Sequence, residues 1–287
     1  MTYGTIVVCG GGCYGGYYVR QLARARAAGA LVFERVIVVD RDLDCKVARL
    51  IAAIARDDAA AIATHAWHAV RPDATATTAS SHDFAYRGLL IEFVNADWDT
   101  FFARWLGEAI RAPQAARHDA VVPSPLMPHL LADWVASRIA VRHPGFGVSR
   151  AALVAEPDTP WRRSAPDLAH YASFATWMCP INCIEPARCP ETRGPRDWSM
   201  PVAVRRASQA AAQSGTPYDV IALFHTTHRS FGVGMFDVAD ALRADAAIAR
   251  HEAGLVMRVL VASVSHCHGA LAELHGTAGR PAAAGQP

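Results

Sequence analysis

"TIVVCGGGCYGGYYVRQLARARAAG", residues 5–29, carries three signals in order: a β-branched run, a glycine-dense turn, and apolar side chains at Tyr18, Leu22 and Ala25 recurring at helical spacing. The predicted order is strand, turn, helix, with Gly29 as the helix C-cap. The next run, FERVIVVD at 33–40, is apolar without alternation, the pattern of a strand buried on both faces. A parallel β-α-β unit closes at Asp40.

Working outward, LDCKVARLIAAIAR at 43–56 suits a helix, RGLLIEFVN at 87–95 a buried strand, and DWDTFFARWLGEAI at 97–110 a helix opened by an Asp cap. DAVVP at 119–123 reads as a short strand and SPLMPHLLADWVASRIA at 124–140 as an amphipathic helix. Trp98, Trp105 and Trp134 fit helix packing. The α/β rhythm returns after a Pro-, Trp- and Arg-rich stretch: helix at 201–215, strand at 218–226, helix at 235–254, strand at 255–266. The expected fold class is α/β, a Rossmann-like, mostly parallel sheet with helices on both faces, plus a Pro/Cys-rich irregular insertion. The expected division is a nucleotide-binding domain over 1–144 and an α/β region over 145–275. The latter carries the Cys-rich loop 177–198 and completes or packs on the sheet; 276–287, rich in Gly, Ala and Pro, is an expected disordered tail.

Composition narrows the classes. The net charge of +2 is nearly balanced, and the basic residues are arginines save Lys46, unclustered along the chain, so no nucleic-acid surface is expected. Unless Lys46 serves, neither a Schiff base nor a phosphate-binding lysine is available. Seven cysteines, at 9, 13, 45, 179, 183, 189 and 267, are an odd number at uneven spacings, and no cleavable signal precedes Thr5. These features point to a soluble cytoplasmic protein without a membrane span, whose clustered cysteines serve metal or catalysis rather than disulfides.

Gly10, Gly12 and Gly15 form G-x-G-x-x-G between a strand and a helix, and Asp40 ends the following strand. Gly10 allows the tight turn, Gly12 a close approach of backbone to a pyrophosphate, and Gly15 tight helix-to-strand packing; the helix N-terminus offers amides and partial positive charge to phosphates. Over residues 4–42 the chain resembles the Rossmann-type NAD(P)-binding family. The resemblance implies NAD or NADP as cofactor, with Asp40 accepting ribose hydroxyls and Arg41 beside it leaving room for a 2′-phosphate. The same turn also serves nucleotidyl- and methyl-transferases.

Residues 177–198, WMCPINCIEPARCPETRGPRDW, hold Cys179, Cys183 and Cys189 as C-x3-C-x5-C, with proline after the first and third. Thiolates among stiffening prolines suit an iron-sulfur cluster, with zinc or plain thiols as alternatives, although the spacing matches neither the bacterial ferredoxin run nor a zinc ribbon. His266, Cys267 and His268 are the expected source of a fourth ligand, and Arg193, Arg196 and Trp198 flank the segment. FHTTHRSFGVGMF at 224–236 offers His225 and His228 as acid-base candidates and Arg229 as an anion clamp at a strand's carboxyl end. The combined expectation is an NAD(P)-binding oxidoreductase acting on a small, anionic molecule, with an electron-transfer partner if the metal is a cluster. The alternative is a non-catalytic nucleotide sensor or scaffold with a structural metal.

Overall fold

The apolar run at the head of the sequence lies in β1 (Thr2–Cys9), where Ile6, Val7 and Val8 have no solvent exposure. Burial on both faces is what a central strand requires, and β1 sits between two parallel neighbours, β2 (Val32–Asp40) and β4 (Ala120–Val122). The computed structural model describes residues 2–65, 86, 88–124, 130–179, 183–252 and 256–278. The chain divides into two units: Met1–Met127, Pro180–Ile184 and Thr226–Ala239 in the first; Pro128–Cys179, Glu185–His225 and Asp240–Pro287 in the second.

In the first unit β3 (Ile91–Asn95) adds in parallel beside β2, giving the order β3-β2-β1-β4. α1 (Cys13–Ala27) and α2 (Lys46–Ala55) cover one face, where Val19, Leu22, Val47 and Leu50 meet Ile6, Val8, Val36 and Val38. Strand alternation turns Val7, Ile37 and Val39 the other way; they are buried too, and α4 (Trp98–Arg111) packs on β2. The short helices α3 (Ala59–His65) and α5 (Pro113–Ala116) lie in the connections. Two antiparallel strands finish the sheet: β10 (Val233–Asp237) pairs with β4, and β9 (Thr227–Ser230) with β10. Phe231 and Gly232, both at positive φ (50° and 77°), form the two-residue turn between them, the conformation that matches strand twist in a hairpin. The predicted helix at 235 therefore starts later, at Val238, because Val233–Phe236 are buried as sheet.

The second unit builds its own mixed sheet rather than extending the first. β8 (Val220–His225) runs parallel to β11 (Val256–Val264); β12 (His268–Ala278) is antiparallel to β11 and carries β7 (His170–Ser173) and β5 (Phe146–Ala151) along its other edge, with β6 (Trp161–Ser164) outside β7. Met200, Ala203 and Val204 of α7 (Met200–Gln213) pack on Leu260, Ala262 and Leu271. α6 (Leu130–Arg142) sets Trp134 edge-on against Phe224, and its Arg138 and Arg142 clasp the buried carboxylate of Asp245 on α8 (Val238–Arg250). Gly276, expected to open a disordered tail, is paired in β12 with Met257 and Val148; the rest of that tail, 279–287, lies outside the described residues. Among the described residues no helix is long and apolar enough to cross a membrane.

Candidate functional site

The glycine turn forms where the spacing predicts it, between β1 and α1, with Gly12 as the α1 N-cap. No side chain caps α1, no acidic residue stands in its first turn, and Gly12, Cys13 and Tyr14 are exposed. The first-turn amides, which lack acceptors within a helix, thus sit at solvent-facing residues. A Cβ on Gly15 would lie 1.8 Å from the Gly10 carbonyl oxygen, so the close approach that demands glycine is between helix and turn. A Cβ on Gly12 would meet nothing within 4 Å. That openness is what backbone approach by a ligand requires.

Asp40 occupies the carboxyl end of β2. Its Oδ2 accepts from the Gly11 backbone N–H at 2.6 Å and its Oδ1 from the Asp42 N–H at 2.9 Å. The carboxylate therefore braces the turn, while each oxygen retains acceptor capacity for a hydroxyl. Arg41 is exposed; its carbonyl and that of Asp40 accept from the Asn95 side-chain amide. Two residues that the sequence reading did not place at the turn complete the setting. Cys45 packs its sulfur against Gly11, where a Cβ would lie 2.3 Å from Sγ, and burial pushes its thiol pKa up. Trp98 donates its indole N–H to the Val39 carbonyl at 2.9 Å.

The cysteines fall in both units. Cys183 belongs to the first unit, and Cys179, Cys189 and Cys267 to the second. Among the described residues, no three His, Cys, Asp or Glu side chains gather to hold a metal ion. Cys267 is buried, which raises its thiol to about 11, and its Sγ accepts the Trp198 indole N–H at 3.3 Å. Cys189, also buried, is held below the usual thiol range, chiefly by hydrogen bonding from the Thr192 backbone. Arg196, considered for anion binding, donates to the Pro186 carbonyl, and Arg188 to that of Arg193, so these guanidiniums brace the loop.

What joins the Cys-rich segment to the SHCH turn is Glu185. Its carboxylate accepts from Ser265 Oγ at 2.7 Å and from the backbone N–H groups of His266 (3.0 Å) and Cys267 (3.2 Å). Ser265, His266 and Cys267 make up the β11–β12 connection, closed by Ser265 N–H to the carbonyl of His268, the first residue of β12, at 2.8 Å. The His266 ring lies 6.3 Å from that of His225, the last residue of β8. The carboxyl ends of the two parallel strands thus bring together two of the predicted histidines.

His228 and Arg229 stand on β9 instead of at a strand-to-helix turn. His228 Nδ1 pairs with the Gly232 carbonyl at 3.1 Å, and Arg229 pairs with Asp237 at 2.9 Å across the hairpin. Arg229, the expected anion clamp, is thus engaged in a hairpin ion pair. A polar centre that the sequence did not reveal lies on β11 and β12: fully buried Glu273 accepts from Arg258, His275, Tyr218 and the Val154 N–H. Four donors from four places in the chain saturate one carboxylate, and nothing in its local pattern announces that.

A family model, AF_1314_C, described as "Uncharacterized protein, C-terminal domain", matches residues 131–276. The matched stretch holds Glu185, the SHCH turn and the Glu273 network, and leaves the glycine turn outside. No curated protein and no solved structure matches the chain.

Proposed function

The chain belongs to the AF_1314_C family, and we propose that it is a nucleotide-binding protein of oxidoreductase type that holds NAD on the glycine turn of its first unit. One observation carries the reading: the uncapped, exposed N-terminus of α1 and the carboxylate of Asp40 meet at a single turn beyond the carboxyl ends of β1 and β2. Phosphates are stabilised at such a helix end by amides and the macrodipole, and ribose hydroxyls by a carboxylate. The parallel order β3-β2-β1-β4 supports it, being half of the doubly wound arrangement that binds nucleotides at strand carboxyl ends.

A bound nicotinamide supplies hydride chemistry. The chain's own part is to seat the pyrophosphate on the α1 amides and the ribose on Asp40, whose negative charge disfavours a 2′-phosphate. A non-catalytic nucleotide sensor is the second reading, favoured by the engagement of Arg229 with Asp237 and of His228 with Gly232. Calorimetric titration of the full chain with NADH, NADPH, ATP and S-adenosylmethionine tests the first reading. NADH binding at least about tenfold tighter than NADPH is expected. Preference for ATP or S-adenosylmethionine overturns it. NADH binding without turnover on a carbonyl and imine panel selects the sensor.

A further inference from the structure

Resting on the reading of the first unit as a nucleotide site, we infer that Trp98 is the platform on which the nucleotide's base stacks, so that the ligand carries a flat aromatic base on the ribose held by Asp40. The indole is fixed in place. The Val39 carbonyl accepts both its N–H, at 2.9 Å, and the Gly10 backbone N–H, at 2.8 Å, tying the ring to the turn through one atom. At Gly10 a Cβ would lie 3.3 Å from Trp98 Cζ2 and 3.9 Å from Asp40 Oδ2. The six-membered edge of the indole and the carboxylate therefore both lie against Gly10, a residue with no side chain.

A ribose whose hydroxyls bond Asp40 carries its base on the same sugar ring, and that base falls beside the indole. The surroundings keep this spacing constant: the Asn95 amide bonds the Asp40 and Arg41 carbonyls, fixing the end of β3, from which α4 begins at Trp98. Phe101 and Phe102 of α4 are core, 3% and 2% exposed, whereas Trp98 and Trp105 remain partly exposed; Trp105 stacks on Phe101, and Trp98 stands at the head of the helix beside the turn. Helix packing, the role its sequence position implies, leaves that exposed portion unexplained; a flat ring held by its N–H at a nucleotide site accounts for it, because base-on-aromatic stacking is favourable for any base.

The test compares NADH with reduced nicotinamide mononucleotide, which lacks the purine half, on the full-length wild type, Trp98→Ala and Trp98→Phe. Trp98→Ala should weaken NADH by about 10- to 100-fold and leave the mononucleotide unchanged, while Trp98→Phe, keeping a flat ring, should retain most of the NADH affinity. NADH should also quench indole fluorescence in the wild type more than in Trp98→Phe, a readout that stands even if Trp98→Ala fails to fold. Wild-type binding of NADH with equal losses for both ligands in Trp98→Ala, or with identical quenching in Trp98→Phe, overturns the stacking alone. No binding of NADH or ADP to the wild type overturns the nucleotide reading and this inference together.

Discussion

Gly11 is not part of the fingerprint, yet its replacement by alanine should be among the costlier changes in the first unit. The new methyl would lie 2.3 Å from Cys45 Sγ and 3.3 Å from Cys45 Cβ, against an ordinary contact of about 3.5–4.0 Å, so something must move by more than an ångström. Gly11 has little freedom to yield: its N–H is held by Asp40 at 2.6 Å and its carbonyl by the Val47 N–H at 2.9 Å. Overpacking of this kind costs about 1–3 kcal/mol, or about 2–4 °C in Tm for each kcal/mol in a unit of this size. Cys45→Ala removes the sulfur and leaves only the 3.3 Å contact, so the double variant should recover about 1–2 kcal/mol relative to the sum of the singles. Urea unfolding of the wild type, both single variants and the double gives the coupling directly. Strict additivity would show that Cys45 is not what excludes a side chain at Gly11, and a neutral Gly11→Ala would refute the clamped turn.

Three further outcomes follow from particular contacts. Burial would raise the Glu273 carboxyl, but hydrogen bonds led by Arg258 outweigh it and hold it below its ordinary 4.5; a depressed folded pKa stabilises above the unfolded value and is lost as pH falls through the folded one. Glu273→Gln should therefore cost about 3–5 kcal/mol at pH 7 and flatten the loss of stability below pH 4.5; parallel Tm-versus-pH curves would count against it. Arg229→Ala should cost at most about 1 kcal/mol and leave NADH affinity within about twofold, because its Asp237 partner is 40% exposed; a tenfold loss would restore Arg229 as an anion clamp. Glu185→Ala strips the acceptor from the 265–267 turn, and hydrogen exchange at the His266 and Cys267 amides should rise as about 1–3 kcal/mol of local stability is lost; unchanged protection would refute the anchor.

The first β-α-β unit was legible because its signals are local: continuous apolar strands, glycines at fixed spacing, and an acid at the end of β2. In the second sheet β8 and β11 were legible as apolar runs, but β12 was not. β12 reads HGALAELHGTA, poor in β-branched residues, and is a strand because β11, β7 and β5 flank it. Glu273 looks like a surface residue until Val154, Tyr218 and Arg258, distant in sequence, join His275 around it. Ser230-Phe231-Gly232 lacks the usual hairpin pair, so the polar FHTTHRSFGVGMF stretch resembled a site loop when it is β9 turning into β10. The same limit applied at the turn itself. Asp40 and the glycines announce themselves by spacing, whereas Cys45 and Trp98 matter through contacts that no one-dimensional pattern encodes.

The order in which the first sheet is completed sets a problem during synthesis. β4 emerges paired on one side to β1, but the strand that covers its other edge, β10, follows roughly a hundred residues later. At a ribosomal rate of about 5–20 residues per second, the open edge persists for about 5–20 s, long enough for a nascent chain to meet another strand or a chaperone. A fragment ending before Val233 would carry that edge permanently, and the chain should therefore tolerate C-terminal truncation less well than the early position of its glycine turn implies.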